Sequence, residues 1–267
     1  MADYVQLGDV RTWYDERGEG EPLLLAHGGS TDARFFDKNI DALAERFHVY
    51  TPERRGHGHT PDVEGPITYA VMAEDTIAFL ERVVGGRAHL VGHSDGAVVA
   101  MLVAMRRPDL AHDLVLISGG FHRDGLLEGA EELDVDGVVE YMRADYAEVS
   151  PDGEEHLRVV VEKVAEMAAR EPDLAQSDLA GVECRTLVMF SDDDLVSMEH
   201  VIDMYAGIPN AELAVVPGTS HFLLQEKPEL CNALILDFLT GAPVATVAPM
   251  RRAAPDRGAT ADQSGAA

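Results

Sequence analysis

Basic charge is what this chain has least of. Its 267 residues hold 21 Lys and Arg against 48 Asp and Glu, a formal net charge of −27 at pH 7, and only Lys38, Lys163 and Lys227 are lysines. Nucleic-acid phosphates and anionic membrane surfaces both demand basic patches, so neither is an expected partner. Cysteine is scarce too. Cys184 and Cys231 offer neither a disulfide framework nor the paired spacing of a zinc site, and read as small buried hydrophobes. The longest apolar run, from Ala97 to Met105, is about half of what a bilayer span requires. The opening Met1-Ala2-Asp3-Tyr4 has no basic stretch leading into an apolar one, so no signal peptide is expected. These absences point to a reduced, cytoplasmic, soluble protein. No internal repeat is present, and nothing bears on oligomeric state.

What is present has the proportions of an ordinary globular chain, 46% hydrophobic and 26% charged, long enough for one large domain or a domain carrying an insertion. Short β-rich runs open it: Tyr4–Leu7, Val10–Tyr14 and Pro22–Ala26, with "ERGEGE" between the last two reading as a hairpin turn. A helical pattern from Phe35 to Phe47 follows, then a strand at His48–Thr51, the glycine-rich "RRGHGHT" and a helix from Thr68 to Val84. Strand Ala88–Val91, helix Asp95–Arg107 ending before Pro108, and strand Leu114–Ile117 continue the alternation. It resumes with strand Thr186–Phe190, a helix from Met198, strand Glu212–Val216 and a helix from about Ser220 to Leu239.

Helices alternating with continuously apolar strands indicate a mostly parallel sheet covered on both faces, with the leading antiparallel strands at one edge. The expected fold is therefore α/β, a doubly wound, mostly parallel eight-stranded sheet. Residues 120–183 interrupt the pattern with amphipathic helices and carry 18 Asp/Glu against five Lys/Arg. This stretch reads as a helical cap inserted into a core formed by residues 1–119 and 184–240. Residues 241–267, rich in Ala, Pro and Gly, read as a disordered tail.

"GHSDG" at 92–96 sits between a strand and a helix. A serine between two glycines at such a junction marks a turn too tight for flanking side chains, projecting a hydroxyl at a helix N-terminus, where backbone N–H groups favour a developing oxyanion. The same residues without the chemistry would be a glycine-rich connection with a capping serine. A serine hydroxyl needs a base, and the base an acid to orient it. His221 in "PGTSHF" follows a strand, and three carboxylates, Asp192, Asp193 and Asp194, follow the strand before it. Both positions lie where the carboxyl ends of parallel strands present catalytic groups.

At this point the chain resembles the α/β-hydrolase superfamily, in its branch of small esterases, lactonases, carbon–carbon hydrolases and cofactor-free haloperoxidases. The likeness spans about residues 5–240 and rests on "LLLAHGG" at 23–29, "RRGHGHT" at 54–60, "GHSDG" at 92–96, "SDDDLVS" at 191–197 and "PGTSHF" at 217–222. The resemblance implies Ser94 as nucleophile, His221 as base and then acid, and Asp194 as the orienting carboxylate. It also implies an oxyanion hole made by the backbone N–H groups of Gly29 and Asp95. Departures are Ser191 in place of a usual glycine, Glu53-Arg54 ahead of the glycine motif, and Asp95 after the serine, whose carboxylate is expected to point away from the site.

Serine rather than aspartate at the turn implies attack on a carbonyl: a carboxylic ester first, with lactones and carbon–carbon bonds within reach of the same machinery, and a non-catalytic ligand-binding protein as the rival reading. No cofactor and no metal are expected, because His57, His59 and His93 lack the further convergent ligands a metal needs.

Overall fold

A computed structural model describes residues 2–129, 134–242, 244 and 246–248. Most of the stretch read as a disordered tail lies outside the described residues. Eight strands form one sheet in the order β1-β2-β4-β3-β5-β6-β7-β8. They are β1 (Asp3–Leu7), β2 (Val10–Arg17), β3 (Glu21–Ala26), β4 (Phe47–Pro52), β5 (Ala88–His93), β6 (Ala111–Ile117), β7 (Arg185–Asp193) and β8 (Ala211–Ser220). The β1/β2 and β2/β4 pairs are antiparallel and the rest parallel, so the antiparallel strands occupy one edge as expected.

Successive side chains on the central strands feed opposite faces, which is why these strands are apolar throughout. Leu24, Leu90, Leu114 and Val188 pack beneath α2 (Tyr69–Phe79), α3 (Asp95–Arg106) and α6 (Met198–Gly207). Leu23, Val91, Val115 and Leu187 pack on the other face with α1 (Ile40–Ala44), α7 (Leu223–Glu226) and α8 (Pro228–Thr240). Leu90 and Leu114 are completely buried, and removing each from water contributes about 1.5–3 kcal/mol.

Three local expectations are corrected. "ERGEGE" is no hairpin turn: β2 pairs with β4, which lies between it and β3, so the chain crosses over rather than folding back. The helix expected over Phe35–Phe47 shrinks to a 3₁₀ turn, Ala33–Phe36, and the short α1. The last helix is two, because Pro228 opens α8 at its first position and holds Lys227 out of helical geometry.

Between β6 and β7 lie α4 (Val135–Val149) and α5 (Leu157–Ala168). Val139 and Tyr146 of α4 meet Leu157 and Val161 of α5 in a small cluster of their own. The adjacent edge of α5, Val160, Val164 and Met167, sits on the main core. Val160 closes against Gly56 and Val164 against Gly29, so α5 roofs the loops that follow β4 and β3. Lys163 Nζ and His156 Nε2 tie this pair of helices to the buried carboxylate of Asp62 at 2.6 and 2.9 Å.

Candidate active site

β5 ends at His93, and the chain turns directly into α3 through Ser94, held at φ +54° and ψ −122°. The Ser94 N–H donates to the Ile117 carbonyl at 2.8 Å, pinning the turn to the neighbouring strand. A side chain at position 92 would strike the Gly96 carbonyl, and one at position 96 the carbonyl of Ala26, so the packing itself demands both glycines.

Three side chains from distant parts of the chain meet here. Ser94 Oγ is 3.0 Å from His221 Nε2, and His221 Nδ1 is 2.8 Å from Asp194 Oδ1. Of the three neighbouring aspartates, Asp194 alone reaches the ring. Asp192 caps the backbone N–H groups of Gly218 and Thr219 at 2.6 and 3.2 Å, and Asp193 is exposed. Asp194 Oδ2 accepts from Ser118 Oγ at 2.6 Å and Ser191 Oγ at 2.9 Å, while Oδ1 also accepts from the Leu195 N–H at 2.8 Å. Burial alone would raise the Asp194 carboxyl. The bond and charge of His221, with the two hydroxyls, outweigh that and hold it well below the usual carboxylate range. Ser191, which stands where a glycine is usual, thus supplies a donor to the acid.

His93 carries out a second task at this turn. Its Nε2 lies 2.8 Å from the His221 carbonyl and its ring stacks on Phe35 at 4.4 Å. Burial, helped by the charge of His221, pushes His93 down to about 3, so it is a neutral ring donating Nε2–H to that carbonyl. The loop bearing His221 is fixed from behind.

Gly28 packs against Ser94, and among the described residues the backbone N–H groups of Gly29 and Asp95, next along the chain from Gly28 and from Ser94, make no hydrogen bond. The Asp95 side chain differs from expectation. Instead of standing clear, it accepts from the Tyr69 hydroxyl at 2.6 Å, and its Oδ2 fills the space that a side chain at Gly29 would take. Burial and the Asp95 charge raise Tyr69 well above the normal phenol range, keeping it a donor.

Arg54, to which the sequence assigns no role beyond the glycine-rich loop, is buried against the peptide that joins Gly28 to Gly29. Its guanidinium donates to the Gly28 carbonyl at 2.5 Å, which also accepts from Thr31 Oγ1 at 2.9 Å and faces His27 Nδ1 at 2.9 Å. The Gly28 carbonyl and the Gly29 N–H belong to one peptide group, so a cation on the first orients and polarises the second. Burial lowers the Arg54 pKa, and the Asp95 charge opposes that. His27 and His57 serve loop backbone: His27 also accepts from the Arg54 N–H at 3.2 Å, and His57 Nδ1 meets the Arg55 carbonyl at 2.9 Å. Among the described residues, His57, His59 and His93 join no convergent group of three ligand atoms.

The arrangement has the hydrogen-bond order of a nucleophile, a base and an orienting acid. A model of the family described as "Alpha/beta hydrolase family" matches residues 23–234. The chain belongs to the alpha/beta hydrolase family. It is 28% identical to "Putative carbamate hydrolase RutD" of Azorhizobium caulinodans, over 88% of this chain and 97% of that one. It is 26% identical to (E)-2-((N-methylformamido)methylene)succinate hydrolase of Acinetobacter baylyi, over 91% of this chain and all of that one. Among solved structures, the enol-lactonase of Burkholderia xenovorans shares the fold at a TM-score of 0.72 and 20% identity, covering 89% of this chain and 100% of that one. Among the described residues no helix is long and apolar enough to cross a membrane.

Proposed function

We propose that this family member is a serine hydrolase of neutral carboxylic esters, acting through an acyl-enzyme. The observation that carries the reading is the unbroken chain from Ser94 Oγ through both nitrogens of His221 to Asp194, at 3.0 and 2.8 Å. In this mechanism His221 Nε2 takes the Ser94 proton as the oxygen attacks the ester carbonyl. The Gly29 and Asp95 N–H groups receive the oxyanion, and His221 then returns the proton to the departing alcohol. Water then attacks the acyl carbon as the same nitrogen takes its proton, and collapse breaks the bond to Ser94 Oγ, which recovers the proton from His221 as the acid leaves. The low carboxyl of Asp194 keeps it ionised throughout, so it stabilises the imidazolium without taking its proton.

Residues 120–183 act in this proposal as a cap on a core of residues 1–119 and 184–240. A cleft of about 190 Å³ lined by Thr31, Arg34, Phe35, Met142 and Phe222 opens beside the rings that pack on His93 and His221. Its one arginine is already engaged, with Asp32 at 2.7 Å and Glu148 at 2.8 Å. That favours uncharged substrates over dicarboxylates such as the one named for the Acinetobacter relative. A carbamate is the second reading, favoured by the relative from Azorhizobium, which matches along nearly its whole length.

The test is turnover of nitrophenyl esters, γ- and δ-lactones, a simple carbamate and a ring-fission dienoate, with fluorophosphonate labelling read by intact mass. Ester turnover with one label per chain, both abolished in Ser94→Ala, supports the proposal. Labelling without turnover of any member overturns it in favour of a binding protein.

A further inference from the structure

We propose that His89, His112 and Asp113 form a binding site for a divalent zinc-class metal ion, at the end of the sheet remote from Ser94. The site does not depend on the proposed ester chemistry. His89 is the second residue of β5, five residues before Ser94, so at about 3.3 Å per residue it lies about 16 Å away along the strand. His112 and Asp113 are neighbours on β6 and, in a regular strand, would point to opposite faces. Here the β5/β6 register slips between Ala88 and Leu90, where Ala88 pairs with Ala111 but Leu90 with Leu114. Two β6 residues therefore stand against the single residue His89, and the irregularity brings both of their side chains to it.

The donor atoms are spaced as ligands of one small cation. Asp113 Oδ2 is 3.2 Å from His89 Nδ1 and 3.1 Å from His112 Nδ1, and the three ligand atoms lie within 4.8 Å of one another. Ligands about 2.0–2.1 Å from a tetrahedral zinc stand about 3.3 Å apart, so two of the three edges are already at coordination distance. His112, 41% exposed, has the freedom to close the third.

The tautomer of His89 points the same way. Its side chain is 2% exposed, and its Nε2 faces the Glu21 carboxylate at 3.4 Å. With its ring proton on Nε2 toward that carboxylate, His89 turns the lone pair of Nδ1 toward Asp113. Nδ1 is buried and makes no hydrogen bond, although Asp113 Oδ2 is only 3.2 Å away. In that tautomer the Nδ1 lone pair and the Asp113 carboxylate face one another, and a metal ion bound between them would satisfy both. A ring nitrogen bound to metal with its other N–H on a carboxylate is the usual arrangement around protein zinc. Two imidazoles and a carboxylate suit zinc, cobalt or nickel better than calcium or magnesium. The motif escapes a reading by sequence spacing because its members are brought together only by the slipped register.

The experiment is calorimetric titration of chelator-stripped, untagged protein with zinc, and with cobalt followed by visible absorption. The proposal expects one zinc per chain, a tetrahedral cobalt spectrum, and affinity at least about 100-fold weaker in His112→Ala and in Asp113→Asn. Glu21→Gln, which removes the charge behind His89, should weaken binding by about tenfold. His48→Ala, at a histidine elsewhere on the surface, should leave it unchanged. His112 is exposed, so its truncation keeps the fold and a loss of binding is interpretable. No stoichiometric binding, or equal binding by wild type and His112→Ala, overturns the site and leaves the hydrolase reading untouched.

Discussion

Replacing Asp194 with asparagine keeps the shape of the side chain and removes only its charge, so the site dictates the result closely. The amide has two ways to sit. With its NH₂ toward His221 it donates to Nδ1, and the ring must carry its proton on Nε2, pointing at Ser94 Oγ, which then has no base. With its oxygen toward His221, the bond with the Leu195 N–H survives and the tautomer is kept, but the imidazolium formed during attack faces no anion. Charge centres about 4 Å apart at an effective dielectric near 20 interact by about 4 kcal/mol, or about three decades in rate at 1.36 kcal/mol each. The tautomer error costs about 10⁴-fold in a serine triad. Asp194→Asn should therefore lower kcat by about 10³–10⁴ in nitrophenyl ester turnover at pH 8, with KM changed little and Ser94→Ala as background. Asp193→Asn, at an exposed carboxylate one residue away, should stay within about twofold of wild type. Turnover of Asp194→Asn within tenfold of wild type, or a loss carried by Asp193→Asn instead, would refute the reasoning.

Two further expectations concern groups behind the site. Arg54→Met removes the cation from the Gly28 carbonyl while filling its space, so kcat should fall by about tenfold, less than the loss of a whole oxyanion donor. Urea stability should be unchanged or slightly higher, since a buried guanidinium with an unpaired Nε is replaced by an apolar chain; an unchanged kcat would count against the polarised peptide. Burial pushes His57 down to about 4 and His93 to about 3. Between those values and the unfolded value near 6.5 the unfolded chain binds the proton and the folded one does not. Stability from these groups is thus complete above pH 6.5 and falls on acidification, by at most about 1.4 kcal/mol per pH unit for each ring. Urea midpoints measured from pH 7 to pH 5 should decline, and the decline should flatten in His57→Gln.

What could be read in advance was local. The strand, turn and helix around Ser94 fall within about twenty consecutive residues, and the glycines at 92 and 96 report a collision that the sequence pattern already encodes. Continuous apolar strands likewise announced burial on both faces. What escaped depended on pairing across the chain. The sequence puts β2 beside β3, but the sheet puts β4 between them, and no residue of "ERGEGE" records that. The residues alone leave Asp192, Asp193 and Asp194 open, and only the family resemblance singles out Asp194; which carboxylate meets His221 depends on how the end of β7 turns. The carboxylate of Asp95 is expected to stand clear because Tyr69, 26 positions earlier, gives no hint that it will draw it over Gly29. Arg54 was read as part of a loop motif, whereas burial under the Gly28 peptide makes it a neighbour of the site. The break before α8 is different, because Pro228 marks it within the sequence itself.

Apart from glycine, only Ser30, Ser94 and Ser118 among the described residues hold positive φ, at 54°, 54° and 52°. Each follows the carboxyl end of a central strand, and each conformation costs about 1–3 kcal/mol that glycine would largely escape. Under selection for durability alone, all three positions would drift to glycine, and with them would go the hydroxyl at 94 and the one that steadies Asp194. At 94 and 118 the strained corner therefore carries a hydroxyl that glycine could not supply, so part of the fold's stability is given up where the oxygen is placed.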